Sequence, residues 1–535
     1  MRGLDQGVAR EALLTAGAGA VVAAALAWFA PPGADLAAHM YQRTLFLEHG
    51  FSLWNNFWYA GRYSFISYSP LYYPLAALVG IRVLAVATVA VTSLAFAVLA
   101  AREWGPAARW SSRTFAVVWA GIVLTAAFPF ALGIALALLA LWALQADRRW
   151  RFAGLVVLTV TASPVAFLLL TVVLGAIALE RGAWRRIAAP AAVVVGIGLS
   201  QLLLWRLFPA GGRYPFSAAE AAAAITFCLI GLVLTWNVES ARLLRFVFLL
   251  YLIAIVAVFV VPSSVGENIA RLRYLAIPIT VLALSLRAWR PRPVALLVLG
   301  LAVSWNTTPL AANLAHGARD PASDEAHWRP VIAFLHAHLT PSYRVEAVDT
   351  VGHWPAVYLA RADIPLSRGW FRQGDFPQNR ILYGDLRRAT YLSWLRRLGV
   401  RYVVVSDGPV DYSARAEKRL IDSGRSGFTA VFRTPALVVY EVPHARRIVS
   451  GPGGARVLSL RNSRMVLRVD RPGRYRVAVR YSPYWRPSIG CVERTRDGMI
   501  RLAVPRAGAV RLRFDVDAES ALSVLAGGPS RACAA

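Results

Sequence analysis

Up to about residue 310 the chain is a succession of long apolar runs joined by short, arginine-bearing loops, and beyond that it reads as ordinary globular protein. No other feature restricts the fold as strongly. In lipid a backbone satisfies its polar groups only as helix or closed barrel, and long apolar runs without alternation are helices. The runs lie at 11–30, 70–100, 114–127, 130–146, 152–163, 165–179, 187–208, 217–236, 246–262, 274–289 and 293–310, which predicts about eleven membrane segments. Composition agrees. Of 535 residues 57% are hydrophobic and 16% charged, too little polar surface to clothe a soluble core of that size. The run behind Arg2 and Arg10 resembles a signal peptide, but further runs follow at once, so an uncleaved anchor helix is expected.

Stretches 114–146 and 152–179 each carry a central breaker, Phe128-Pro129-Phe130 and Ser163-Pro164, with arginines at both ends. A hairpin turning at each proline keeps both arginine clusters on one side of the membrane. The clusters are Arg102, Arg109 and Arg113; Arg148, Arg149 and Arg151; Arg181, Arg185 and Arg186; Arg287, Arg290 and Arg292. Counting spans from a cytoplasmic N-terminus puts all of them inside. Loops 31–69, 209–216 and 263–273, and everything after 310, then lie outside. The net charge of +29 is therefore read as loop anchoring against anionic membrane lipid, with no nucleic acid as partner. Lys418 is the sole lysine; with the abundant alanine this fits a GC-rich bacterial genome, and the bacterial plasma membrane is the expected location.

The first outside loop is unusual. Asp35 sits just beyond the first run, His39 follows at i+4 on the same face if the stretch is helical, and Glu48 closes the segment. An aromatic run comes next, with Trp54, Trp58, Tyr59, Tyr63, Tyr68, Tyr72 and Tyr73, interrupted by Gly61-Arg62. One reading is an interfacial belt of Trp and Tyr at headgroup depth. It leaves Asp35 unexplained, because a carboxylate beside the membrane is costly without partners or a task. The other is a sugar-phosphate site, in which rings stack on apolar sugar faces and Arg62 binds phosphate. His39 either orients Asp35 or binds phosphate, or is a histidine held by tyrosine or backbone.

An acidic residue opening the first outside loop of a many-helix bundle, with an outside C-terminal region, resembles the GT-C class of membrane glycosyltransferases. The segment DLAAHMYQRTLFLEHG, with the later YAG and YSPLYYPL, is more closely similar to bacterial membrane proteins labelled 6-pyruvoyl-tetrahydropterin synthase-related, although no pterin chemistry is visible in the residues. The resemblance implies a GT-C-like polytopic α-helical fold, a polyprenyl-phosphate-sugar donor, a glycan or lipid acceptor of the cell envelope, and Asp35 as general base. Many members carry a second acidic residue in or near this loop; here Glu48 is thirteen positions away. The cofactor such a site would use is a divalent cation, Mg or Mn. Rival readings are a flippase or transporter for a lipid-linked glycan and a non-catalytic GT-C-like scaffold. The spans hold few ionisable groups, which disfavours a proton-coupled carrier.

Loop 263–273 adds Glu267, Asn268 and Arg271. They form either a helix start with an arginine snorkelling to headgroups, or a donor site with Arg271 on phosphate and Glu267 as the second carboxylate. Arg213 and Tyr214 are weaker candidates.

The first 310 residues thus read as a transmembrane domain, 311–444 as an extracytoplasmic α/β domain, and 445–535 as a β-sandwich-like one. Helices are expected at 325–338, 385–398 and 411–423, and strands at 343–348, 400–405, 427–432 and 437–442. All-strand periodicity then runs through 456–460, 464–469, 474–481, 499–504 and 509–515. No Walker loop, GxGxxG, GxSxG or HExxH is present. Two loops concentrate functional side chains: His353 with Trp354, and 367–379 with Arg368, Trp370, Arg372, Gln373, Asp375 and Asn379. Either an Arg–Asp pair pins the second loop to the α/β core, or these loops help bind the acceptor. Tyr481-Ser482-Pro483-Tyr484-Trp485 is either a carbohydrate-contacting aromatic loop or one of the aromatic turns common in β-sandwiches. Cys491 and Cys533 could pair in an oxidising compartment, whereas Cys228 reads as a core residue.

Overall fold

The computed structural model describes residues 5–66, 68–182, 184–209, 212–527 and 533, with backbone alone for 184–187. Arg2 and the side chains of Arg185 and Arg186 lie outside the described residues. Two compact units are formed: Met1–Leu36, Tyr68–Gln201 and Arg213–Ala318 make the first, and Ala37–Ser67, Leu202–Gly212 and Arg319–Ala535 the second.

The first unit is helical. It begins with α1 (Gln6–Phe29) and resumes, after α2 (Leu36–His49), with α3 (Tyr72–Val79), α4 (Ile81–Trp104), α5 (Arg109–Ala120), α6 (Ile122–Thr125), α7 (Phe128–Gln145), α8 (Arg149–Ala162) and α9 (Pro164–Arg181). It continues through α10 (Trp184–Leu207), α11 (Ala218–Thr235), α12 (Arg242–Val260), α13 (Ala276–Leu286) and α14 (Arg292–Gly317). Among the described residues nine helical stretches are long and apolar enough to cross a membrane, and the chain is a multi-pass membrane protein. Two places account for the difference from eleven. Helical structure is continuous over Ile81–Thr125, and α8, with 14 residues, is shorter than a bilayer span.

Both breakers act as the sequence requires. Ala126 takes a left-handed φ of 55° after α6, and Pro129 occupies the first turn of α7, where its missing N–H costs nothing. Ser163 caps α9, its side chain accepting from the Ala166 amide at 3.3 Å, with Pro164 next. Both turns meet the same loop: the Leu71 N–H donates to Thr161 O at 3.2 Å, and Tyr72 stacks on Phe128.

The arginine loops gather at the other end of the bundle. Glu11 pairs with Arg113 at 2.6 Å and Arg109 at 3.7 Å, and Arg181 with Glu103 at 3.7 Å. Trp104 Nε1 donates to Ser240 O at 3.0 Å, and Arg287 to Leu234 O at 3.1 Å. These contacts bring the loops of Arg109 and Arg113, of Arg181 and of Arg287 together at one end of the bundle.

The second unit joins two sheet systems. Strands β3 (Arg344–Ala347), β4 (Val400–Ser406), β5 (Thr429–Arg433) and β6 (Leu437–Glu441) follow a short ribbon, β1 (Trp54–Asn55) and β2 (Arg62–Tyr63). They form a mixed sheet, β3-β4-β6-β5, in which β3 and β4 are parallel. Helices α15 (Glu325–His338), α16 (Pro355–Arg361), α17 (Arg388–Leu398) and α18 (Arg415–Asp422) accompany it.

Two antiparallel sheets come next. One has the order β12-β13-β10-β7, from β7 (Val449–Ser450), β10 (Gly473–Arg480), β12 (Cys491–Arg494) and β13 (Met499–Val504). The other is β11-β14-β9-β8, from β8 (Ala455–Arg461), β9 (Arg464–Val469), β11 (Trp485–Pro487) and β14 (Gly508–Phe514). Their inner faces share one core of Tyr475, Val477, Leu502, Leu467, Val510 and Leu512. A short helix, α19 (Ala518–Leu525), follows, and a disulfide joins Cys491 to Cys533.

The aromatic loop belongs to this second unit. Trp54, 1% exposed, enters the core of the paired sheets, meeting Trp485 edge-on and stacking on Phe514. Trp58, fully buried, donates from Nε1 to Ala356 O at 2.8 Å. Tyr59 donates to Phe371 O at 2.5 Å and Tyr63 bonds Ser482 Oγ at 2.8 Å. These rings are neither a headgroup belt nor an open platform, because protein covers their faces and their polar atoms are bonded inside the unit.

Candidate active site

Asp35 is placed by what stops α1. Pro31-Pro32 cannot continue the helix, and Gly33 then lies so close to the turn before α7 that a Cβ would stand 2.6 Å from Leu124 O. The Asp35 amide donates to Thr125 O at 3.1 Å, fixing its backbone against that turn. Asp35 precedes α2 and His39 lies within it, so the two are not successive turns of one helix.

Opposite stands a ten-residue 3-10 segment, Gly266–Leu275. It starts at Gly266, whose φ of +45° and approach to Tyr214 O, 2.0 Å from a Cβ position, admit no larger residue. From this segment Arg271 reaches Asp35, Nη2 to Oδ2 3.6 Å, too long for a direct hydrogen bond but an ion pair. Its guanidinium also lies 5.4 Å from the Phe130 ring centre. Tyr68 completes the group: burial pushes its hydroxyl up to about 12, Arg271 pulls it down by charge and hydrogen bond, and Asp35 adds to the rise. Asp35 and Arg271 keep about a fifth of their side-chain surface exposed, so the group is reachable.

The neighbouring carboxylates have their own partners. Glu267 accepts from the Ser217 amide at 3.4 Å at the start of α11, and the Asn268 amide donates to Val265 O at 3.0 Å. Glu220 pairs with Arg273 at 3.1 Å and accepts from Trp305 Nε1 at 3.1 Å, while Asn306 holds the Arg273 carbonyl at 2.7 Å. Sequence reasoning missed this second pair and Phe130. The signal was Ser217-Ala218-Ala219-Glu220: the Ser217 side chain caps the helix by accepting from the Glu220 amide at 3.3 Å, which sets Glu220 in the first turn of α11.

The remaining expected site residues lie in the second unit. His39 is buried on α2, and Glu48 is exposed near that helix's end, 3.8 Å from His49. Arg62 stacks on Phe371, 3.9 Å from its ring centre. The loop that supplies Phe371 is pinned by Arg368, which donates to Asp375 Oδ2 at 3.1 Å and Ser413 Oγ at 2.8 Å. Asp375 also accepts from Tyr383 at 2.7 Å and Asn379 at 2.9 Å. Arg372 donates to Asp411 at 2.6 Å and lies over Tyr412; beside it His353 meets Asp349 at 2.6 Å and the edge of Trp370. Burial works against the charged His353 ring, but Asp349 outweighs it and the pKa is raised. Trp354 is buried against Tyr358.

Two further carboxyls in this cluster were not visible in sequence. Glu346 and Glu417 are fully buried, each 4.0 Å from Arg368 Nη1. Glu346 is also bonded by Ser367 and Glu417 by Tyr391. Burial pushes Glu417 up to about 7 against the pull of Arg368, and pushes Glu346 well above the usual carboxylate range.

Among the described residues no group of three or more His, Cys, Asp or Glu side chains is placed to hold a metal ion. Beside Asp35 the cationic partner is Arg271, so this donor set does not fit a resident divalent ion.

These features define a multi-pass membrane protein with an ion-paired carboxylate at the arginine-poor end of its bundle and a β-rich second unit. No family model matches the chain, and no curated protein matches it. Among solved structures it is similar to the arabinofuranosyltransferase AftD from mycobacteria, with TM-score 0.45 and 16% identity over 81% of this chain and 40% of that one. A mutant form of AftD gives TM-score 0.47 and 15% identity over 96% of this chain and 42% of that one. An Archaeoglobus fulgidus oligosaccharyltransferase, solved with zinc and sulfate, gives TM-score 0.32 and 15% identity over 73% and 68%. The chain thus spans about two fifths of the length of the mycobacterial proteins. The pterin-related label has no counterpart among these proteins.

Proposed function

We propose that this chain is a membrane glycosyltransferase that moves a sugar from a polyprenyl-phosphate carrier to a cell-envelope acceptor, with Asp35 as general base. The observation that carries the reading is the Asp35–Arg271 pair with Tyr68, reachable at the end of the bundle that lacks the arginine loops. The sequence resemblance of the Asp35 segment to GT-C proteins supports the same reading. Asp35 takes the proton of an acceptor hydroxyl; the oxygen bonds to the anomeric carbon as the bond from that carbon to the carrier phosphate breaks, and the phosphate leaves with the electron pair. Arg271 neutralises the leaving phosphate, and Tyr68, which stays protonated at neutral pH, orients the guanidinium. Glu267 is assigned to holding the start of α11.

The arginine-rich end is read as cytoplasmic and the Asp35 end as extracytoplasmic, in a bacterial plasma membrane. The Cys491–Cys533 disulfide fits an oxidising compartment for the second unit. The test is transfer from radiolabelled polyprenyl-phosphate sugars by wild type and Asp35→Asn. Wild type transfers and the variant falls by about 10²–10⁴-fold, the usual worth of a general base. Equal transfer by both removes Asp35 from the mechanism, and no transfer from any donor favours a non-catalytic scaffold.

A further inference from the structure

The β11-β14-β9-β8 sheet carries an arrangement of charge that its own stability does not call for. Strand alternation turns Met465, Leu467, Val510 and Leu512 inward and leaves Arg456, Arg464, Arg468 and Arg511 exposed on the outer face. The register sets like charges opposite one another: Arg456 faces Arg468, and Arg464 faces Arg513. Like charges directly opposite on adjacent strands destabilise a sheet. Arg513 has a partner in Asp515 at 2.8 Å, but among the described residues no carboxylate pairs with Arg456, Arg464, Arg468 or Arg511.

The partner sheet is an internal control. There Arg476 faces Arg501, and each has an acid beside it, Asp497 at 2.5 Å and Glu493 at 3.8 Å. The same fold gives both opposed arginines an acid on one sheet and, on the other, leaves Arg456, Arg464 and Arg468 without one.

We propose that this open arginine face binds an extended acidic glycan. Opposed strand positions lie about 5 Å apart, and Arg511 and Arg513 roughly 7 Å apart along β14, while Arg464 and Arg468 stand four positions apart on β9. A polymer running over the sheet therefore meets several guanidinium groups as partners for its carboxylates or phosphates. The outer positions of these strands hold no aromatic ring, which a nucleic-acid strand would use for base stacking and a neutral sugar for its apolar face. Leu458 is the exposed large apolar residue here, so the face lacks the insertable apolar surface of a membrane-docking element. Charge is what the face recognises.

The experiment uses the full chain in nanodiscs of zwitterionic lipid, with polygalacturonate as the acidic glycan, dextran as the neutral one, and anionic-lipid vesicles as a separate arm. Arg464→Gln/Arg468→Gln/Arg511→Gln removes the face. Arg474→Gln/Arg494→Gln/Arg496→Gln makes the same charge change on exposed arginines of the other sheet and its turn. Wild type binds polygalacturonate and not dextran, weakening at least about tenfold between 50 and 200 mM salt. The face variant loses about tenfold or more, the control keeps its affinity, and the face variant melts no lower than wild type because like-charge pairs have been relieved. Equal losses in both variants would reduce the effect to net charge and overturn the proposal. Unchanged polymer binding by the face variant overturns it too, as does a loss confined to anionic vesicles, which assigns the face to membrane.

Discussion

Arg271 holds Asp35 at 3.6 Å, which places the guanidinium that would meet a phosphate on the carboxylate that would act as base. Under the proposed mechanism the two tasks compete until a phosphate arrives. Neutralising Asp35 therefore releases Arg271, and Asp35→Asn should bind an unreactive polyprenyl phosphate more tightly than wild type, by about three- to tenfold. Arg271→Gln should bind it more weakly. Photo-crosslinking titration reads both without any transfer reaction; weaker binding by Asp35→Asn would mean the pair does not compete with the ligand.

The buried carboxyls around Arg368 make a prediction about pH. Glu346 and Glu417 have folded-state pKa values above those of an unfolded chain, with Glu417 near 7. The fold favours their protonated forms. The contribution of each is complete below the unfolded value of about 4.5; that of Glu417 is lost as pH rises through about 7, and that of Glu346 as pH rises through its own raised value. Thermal unfolding of the detergent-solubilised chain should show the second unit losing stability between pH 5 and pH 8. Glu417→Gln, neutral throughout, should flatten that slope, and parallel curves would exclude Glu417 as its source.

Trp58 is wholly buried and bonded to Ala356 O, so Trp58→Ala should cost the second unit about 3–5 kcal/mol. Denaturant titration followed by the fluorescence of the remaining tryptophans measures this. A loss below about 1 kcal/mol would mean that the loop is only draped on the unit.

The disulfide offers a test of sidedness. Cys228 is buried, so reduction leaves Cys491 and Cys533 as the reactive thiols. A membrane-impermeant maleimide should label intact cells after reduction and not before. Labelling confined to inverted vesicles would reverse the orientation.

The helical bundle was legible because apolar runs and arginine loops are local signals, and helix positions follow them closely. Strands expected at 464–469 and 499–504 occupy Arg464–Val469 and Met499–Val504 for the same reason: period-two alternation survives in short windows. The elements missed, among them β7, β11 and α16, are two, three and seven residues long and too short to show a period. At the candidate site Asp35 and Arg271 could each be singled out by charge at a membrane edge, but their pairing across 236 positions could not. Trp54 and Tyr59 misled for a related reason. An aromatic run beside a membrane invites a surface reading, and nothing local tells that their partners are Phe514 and the Phe371 carbonyl. Glu346 gave no warning, since one acid in a four-residue strand has no spacing to interpret.

That the Trp54–Tyr63 ribbon is interior to the second unit has a consequence for biosynthesis. Asn56 donates to Arg461 O, and Trp54 waits for Trp485 and Phe514, residues made more than four hundred positions later. Until the ribosome has delivered them, the loop that holds this ribbon is an unsatisfied strip of tryptophan and tyrosine in the nascent chain. It is therefore the segment most in need of a chaperone, and 319–535 expressed alone would lack the piece around which its sheets close.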